Sequence, residues 1–364
     1  MLLNKLSRIL EFKAFYPETI AHYYEVGMQL KAIHASDKKQ QLQQVWKTLA
    51  AAGFFDYGMG GKKPWTESLA AVIGLSLVAG ISDAVLSAVF QLSGIQAIIA
   101  HQGTAQQKTE FLEPLVQGTY IAAHCLTEEK GGTDNGAMLT CAKQTKHGQW
   151  LLNGSKTYIC NVPYADLLLV YAKTAETGSI MDSLSCFLCT SDQPGISMFP
   201  PFNKIGLNEV PMGTIKFEDV LLNKQQLLGK PGMGFSLLQF TTTYERLIIP
   251  AVFLGRMLHF YFTVEAEKIS NKLFLGDLYA DMLSLFLLLK HACESADHHP
   301  WKRGYLKLGA VVKLKLSEAY LKMTNELLRC PLTNQQRDAE YPAAVASWIY
   351  SGTNDALRHM LTTL

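Results

Sequence analysis

AAVIGLSLVAGISDAVLSAVFQLSGIQAIIA, residues 70–100, is the stretch on which the fold class turns. It carries one charge, Asp83, and is long enough to cross a bilayer. Asp83, Gln91, Gln96, three glycines and four serines interrupt it, and it has neither a Trp/Tyr belt nor an adjacent basic cluster. It therefore reads as part of two buried core helices over 67–100, with no membrane span. Upstream, QQLQQVWKTLAAAGFF (40–55) has helical spacing and stops at Gly53. Downstream, TAQQKTEFLEPLVQG (104–118) is a shorter helix with Thr104 as N-cap. Residues 1–121 thus read as an N-terminal α-helical domain.

Near residue 121 the texture changes. Gly131-Gly132, Asn153-Gly154, Pro194-Gly195 and Pro200-Pro201 punctuate short apolar runs such as ADLLLVYAKT and TIKFEDV. These are strand and turn signals, and 122–228 reads as a small β-domain. After Gly229-Lys-Pro-Gly-Met-Gly234 the helical period returns, and residues 229–364 read as an α-helical bundle that starts with one long helix over 234–268. The expected architecture is mainly α with a central β-domain between two helical bodies.

Composition narrows the function. The 364 residues carry 33 basic and 31 acidic side chains, a net charge of +2, which excludes a nucleic-acid binder that works by bulk electrostatics. A hydrophobic share of 48% against 18% charged fits a globular protein with a large core. The N-terminus meets Glu11 and Glu18 without a continuous apolar stretch, so no secretory signal is expected and the location is read as cytoplasmic. Seven cysteines, an odd count, give no disulfide framework. Cys186 and Cys189 form a C-x-x-C on a strand, where residues three apart face opposite sides. His291, Cys293, Asp297, His298 and His299 read as a solvated helix end, so no metal site is expected.

Three places could carry chemistry. The glycines Gly229, Gly232 and Gly234 lack the spacing of a dinucleotide fingerprint and read as a loop. The turn Leu126-Thr127-Glu128-Glu129-Lys130-Gly131-Gly132-Thr133-Asp134 follows a strand-like run and offers hydroxyls and N–H groups to a ligand. Glu245 stands on a helix whose positions one turn away are Thr241, Thr242, Ile248 and Ile249, and Arg246 points about 100° aside. Such a carboxylate must face water, find a distant partner or hold its proton more tightly, and the last is what a general base near neutral pH needs.

Together these pieces resemble the acyl-CoA dehydrogenase family. HQGTAQQKTEFLEPLVQGTYIAAHCLTEEKGGTD (101–134), LLNGSKTYICN (151–161), KFEDVLLNKQQLLGKPGMGF (216–235), YERLIIPAVFLG (244–255) and RDAEYPAAVASWIYSGTNDALRHML (337–361) are similar to five of its motifs, in the family's order. The resemblance implies an N-terminal α-domain, a β-barrel domain and a C-terminal four-helix bundle. It implies FAD, and α,β-dehydrogenation of an acyl thioester in which a carboxylate removes the α-proton and the β-hydride passes to flavin N5. It places Leu126 and Thr127 at the flavin ring, Gly132 and Thr133 at the pyrophosphate, and Tyr158 and Cys160 beside the ring. Thr353 and Asp355 become C-terminal cofactor contacts. The base position after Tyr350 is Ser351 and cannot serve, which leaves Glu245. The Ser351 backbone N–H would polarise the thioester carbonyl, and Arg246 is the candidate substrate-binding residue.

The chain lacks the family's R-x-x-F-G and Q-x-x-G-G segments, which hold the ADP half of FAD across a subunit interface. A second reading is thus a non-catalytic scaffold or acyl-binding relative that has lost FAD. No cationic cluster for the CoA 3′-phosphate is evident around 206–212, so the thioester is either CoA or phosphopantetheine on a carrier protein. The implied partners are that thioester, an electron-transfer acceptor and further copies of the chain, as a homodimer or homotetramer.

Overall fold

The structure is a computed structural model. It describes residues 2–6, 14–58, 63–130, 137–175, 179–204, 209–264, 272–298 and 305–329, with single positions 9, 12, 207 and 269.

Helix α1 (Pro17–Lys31) starts on a proline, whose missing N–H costs nothing in a first turn, and buries Ile20, Tyr23, Val26, Gly27 and Leu30 at helical spacing. It lies against α3 (Trp65–Ser76) so closely that a Cβ on Gly74 would sit 2.5 Å from the Ile20 carbonyl oxygen. Helix α2 (Lys38–Ala51) is capped by the Asp37 carboxylate, which accepts from the Gln40 N–H. Every residue of α3 except Glu67 is buried, so α3 is a core helix enclosed on all sides.

The second core helix, α4, runs Ser82–Gln102. It is long and apolar enough to cross a membrane, yet it is mostly packed inside the protein. Its polar residues are buried connectors. The Gln91 carbonyl oxygen accepts from Trp46 Nε1 and the Ala122 N–H, each at 2.8 Å, and Gln96 donates to the Phe55 carbonyl. Beyond α4, Thr104 and Gln107 form a reciprocal capping box.

Seven strands follow: β1 (Ala122–Cys125), β2 (Cys141–Gln144), β3 (Trp150–Cys160), β4 (Leu167–Lys173), β5 (Leu184–Thr190), β6 (Ile196–Met198) and β7 (Met212–Leu222). They form one mixed sheet in the order β1-β4-β2-β3-β7-β6, with β5 also paired to β4. Strand β4 is buried on both faces. Leu167, Leu169 and Tyr171 join the helical core, whereas Leu168, Val170 and Ala172 join a second core enclosed by the sheet. The same alternation separates Cys186 from Cys189 into different cores.

Helix α5 (Gly234–Thr263) passes from the sheet into the bundle with α6 (Lys272–His298) and α7 (Tyr305–Arg329). It ends at Thr263, because Val264 is extended, and so is shorter than the 234–268 expected. The glycines before it serve packing: a Cβ on Gly232 would meet the Asp182 carbonyl oxygen at 2.6 Å, and one on Gly234 the Leu184 carbonyl at 2.7 Å. The end of α6 corrects another expectation, since Asp297 is no solvated residue. Its carboxylate accepts from the N–H groups of Trp65 and Thr66 and from the Thr66 hydroxyl, capping the first turn of α3 from far along the chain.

Candidate functional site

Glu245 is the only carboxylate on α5. Its side chain is 13% exposed, so it does not face bulk water. It ends where α4, β1 and α5 meet. On the α4 side the helix opens into one wide turn, Leu92–Gln96, whose hydrogen bonds span five residues. Gly94 sits in that turn, and a Cβ there would lie 2.7 Å from Glu245 Oε1. On the β1 side His124 Nδ1 lies 3.3 Å from the same oxygen. Period-two alternation aims His124 this way: its neighbours Ala123 and Cys125 point into the sheet's own core, and His124 is left facing the helices. The ring packs edge-to-face on Tyr171, with centroids 5.2 Å apart. A partner contributed by a strand more than a hundred residues away thus answers the carboxylate that had none on its own helix.

Two residues beyond His124 come Leu126 and Thr127, both half-buried. A buried ion pair holds them in place. Lys156 Nζ donates to the Leu126 carbonyl and to Glu128 Oε1, each at 2.9 Å, and Glu128 also accepts from the N–H groups of Leu139 and Thr140. Burial alone would raise the Glu128 carboxyl, but the Lys156 charge and these donors outweigh it and hold it below its usual range. Burial pushes the Lys156 ammonium down, and Glu128 opposes that. The Thr157 N–H donates to the Thr127 carbonyl at 2.9 Å, which sets the turn beside the end of β3.

There β3 slips register between Lys156 and Ile159, and Tyr158 takes φ 57°, in the left-handed region that non-glycine residues seldom visit. Tyr158 is 58% exposed, stacks loosely near Phe202, and precedes half-buried Cys160 by two residues. Leu126 and Thr127, on the turn after β1, therefore adjoin Tyr158 and Cys160 at the end of β3. Asn161, also left-handed, bolts the region together. Its side chain bonds to the Ser87 hydroxyl and donates to the carbonyls of Ser87 on α4 and Ala122 on β1.

Arg246, next to Glu245 in the chain, feels its charge, which opposes the effect of burial. Its side chain runs toward α7, where a Cβ on Gly309 would meet Arg246 Cβ at 3.0 Å. Burial lowers both Arg246 and Lys313, the latter to about 8, and the Arg246 charge adds to the Lys313 effect. Gly132, Thr133, Ser351, Thr353 and Asp355 lie outside the described residues. Sequence reasoning missed His124, Gly94 and the Glu128–Lys156 pair as members of the site. The only available signal was their presence in or near the quoted motifs, because partners that meet across elements leave no spacing to read.

The known-protein comparisons fit this layout. The description "Acyl-CoA dehydrogenase, middle domain" matches residues 123–220, the span of the sheet. The short-chain specific acyl-CoA dehydrogenase of Mus musculus mitochondria is 28% identical over 274 residues, 70% of this chain. The chain is thus similar to acyl-CoA dehydrogenases, at a divergent level of identity. The match spans 65% of the mouse relative's length. Two solved structures share this fold along nearly the whole chain. The prolyl acyl carrier protein oxidase AnaB superposes with a TM-score of 0.86 at 20% identity, over 96% of this chain and 99% of its own. PigA with FAD and proline superposes at 0.84 and 22%, over 95% and 97%.

Proposed function

We propose that this protein is an FAD-dependent dehydrogenase of an acyl thioester, with Glu245 as the base that removes the α-proton. One observation carries the reading: the chain that leaves the Glu245 contact at His124 reaches Leu126 and Thr127 within three residues, so the base and the ring-contacting turn share one pinned strand end. The residues fit the flavin ring. The turn is held from behind by Lys156 and Glu128, its Thr127 side chain is half-buried, and Tyr158 and Cys160 adjoin it. Bound there, FAD supplies the acceptor for the hydride that leaves the β-carbon.

The remaining work belongs to the protein. Gly94 leaves room for the Glu245 carboxylate, the surrounding apolar helices keep water from it, and the carboxylate takes the α-proton. The Ser351 N–H polarises the thioester carbonyl in this reading, which lowers the cost of losing that proton.

The acyl group is carried on a phosphopantetheine arm of a carrier protein rather than on free CoA. Two things support this. AnaB, by its name, acts on a prolyl acyl carrier protein. In this chain Lys204 is turned inward, donating to the Val210 carbonyl, and does not reach out for a phosphate.

The test is anaerobic reduction of FAD-reconstituted protein, followed by bleaching of the flavin band. Prolyl and four-carbon acyl thioesters are offered on CoA and on a carrier protein. We expect faster bleaching from the carrier-bound form, and equal rates would remove the carrier preference. Glu245→Gln should keep its flavin spectrum and lose bleaching by about 10²- to 10⁴-fold. Protein that stays colourless after reconstitution would instead favour the cofactor-free scaffold.

A further inference from the structure

We infer that His124 is a positioning residue for Glu245: its Nδ1–H holds Oε1 and leaves Oε2 as the oxygen that meets the substrate's α-proton. The inference rests on the reading of Glu245 as the base.

The geometry limits where protons can sit. Nδ1 is 3.3 Å from Oε1, a close contact not yet aligned as a hydrogen bond, as catalytic contacts often are before substrate tightens them. Nε2 is fully buried and has no partner among the described residues. A ring with its proton on Nε2 would bury an unsatisfied donor and turn a bare lone pair toward the carboxylate. A doubly protonated ring would leave the Nε2–H unsatisfied as well. The tautomer with hydrogen on Nδ1 alone places its one donor on the carboxylate and leaves only a lone pair unpaired.

The surroundings hold this pair in place. Gly94 presses on Oε1 from α4 with no side chain of its own. Tyr171 on β4 braces the ring edge-to-face. The other ionisable groups nearby stay uncharged: burial pushes the Tyr171 hydroxyl well up, and likewise the Cys186 thiol on β5 behind it. Arg246, the next residue on α5, is electrostatically coupled to Glu245. His124 is the group whose ring nitrogen comes within 3.3 Å of Oε1.

The proton balance is simple. The α-proton ends on Oε2, the Nδ1–H stays on His124, and the imidazole remains neutral throughout.

The test uses FAD-loaded protein and a carrier-bound acyl thioester. The rate of anaerobic flavin bleaching at neutral pH is measured for wild type, His124→Phe, His124→Asn and Glu245→Gln. In His124→Phe we expect the rate to fall about tenfold. His124→Asn restores an N–H near the Nδ1 position and should recover most of that loss. A second readout needs no turnover. Nitrogen-15 NMR of histidine-labelled, cofactor-free protein should show an Nδ1-protonated neutral ring, assigned by its loss in His124→Asn. An Nε2-protonated ring, or a bleaching rate that is the same in wild type and His124→Phe, would overturn the inference. If Glu245→Gln has lost bleaching in the same series, the base reading survives that failure. Bleaching retained in Glu245→Gln would end both.

Discussion

Two buried carboxylates, Glu128 and Glu245, lie a few residues along β1 from one another's contacts, and they are treated in opposite ways. Glu128 is saturated: it accepts from two backbone N–H groups and from a lysine that is itself 0% exposed. Glu245, among the described residues, meets one ring nitrogen at 3.3 Å, a glycine that withholds its side chain and the charge of Arg246. The well-satisfied group, with three donors, immobilises a turn. The under-satisfied one keeps an oxygen in reserve, which is what a reacting group requires. Burial alone does not tell them apart, because both are mostly buried; the count of donors does.

The comparison can be broken first on the structural side, where the largest effect is expected. Lys156→Met strands the Glu128 charge and should cost about 3–5 kcal/mol in denaturant unfolding. Adding Glu128→Gln to it should recover most of that loss. If Lys156→Met costs no more than an ordinary surface change, Glu128 is not the saturated anchor described.

On the functional side, Gly94→Ala should do the reverse. The new methyl meets the far end of a flexible side chain, so stability should change by less than about 1 kcal/mol. Displacing the carboxylate should nevertheless slow substrate-dependent flavin bleaching about a hundredfold. Loss of stability with an unchanged rate would mean that Glu245 has no part in the chemistry.

The smallest effect is in pH. Glu128 is held below its usual range, so its ionised form adds stability that is complete above about pH 5 and fades as pH falls through the folded value. The stability gap between wild type and Glu128→Gln should therefore shrink on acidification. A gap that widens would reverse the sign assigned to the pair.

Much of this molecule could be read in one dimension. Helical spacing announced α2 and the two core helices, and Gly/Pro punctuation announced the strands. Thr104 was legible as a cap because the cap and its partner are three residues apart. The motif LLNGSKTYICN marked the right stretch, but not that its lysine turns inward to pin Leu126 while its last asparagine ties α4 to β1. Asp297 was misread for the same reason. Its partners are at Trp65 and Thr66, and no local pattern connects them.

The sequence by itself determined which segments are helix or strand, and that Glu245 stands without a partner on its own helix. Those are consequences of period and of neighbours within one turn. Only the tertiary structure decided that His124 and Gly94 are what the carboxylate meets, and that Glu128 belongs to a lysine. These contacts come from the crossing of α4, β1 and α5 and from the pairing of β3 beside the turn. Distance along the chain carries no information about distance in space once strands and helices are packed.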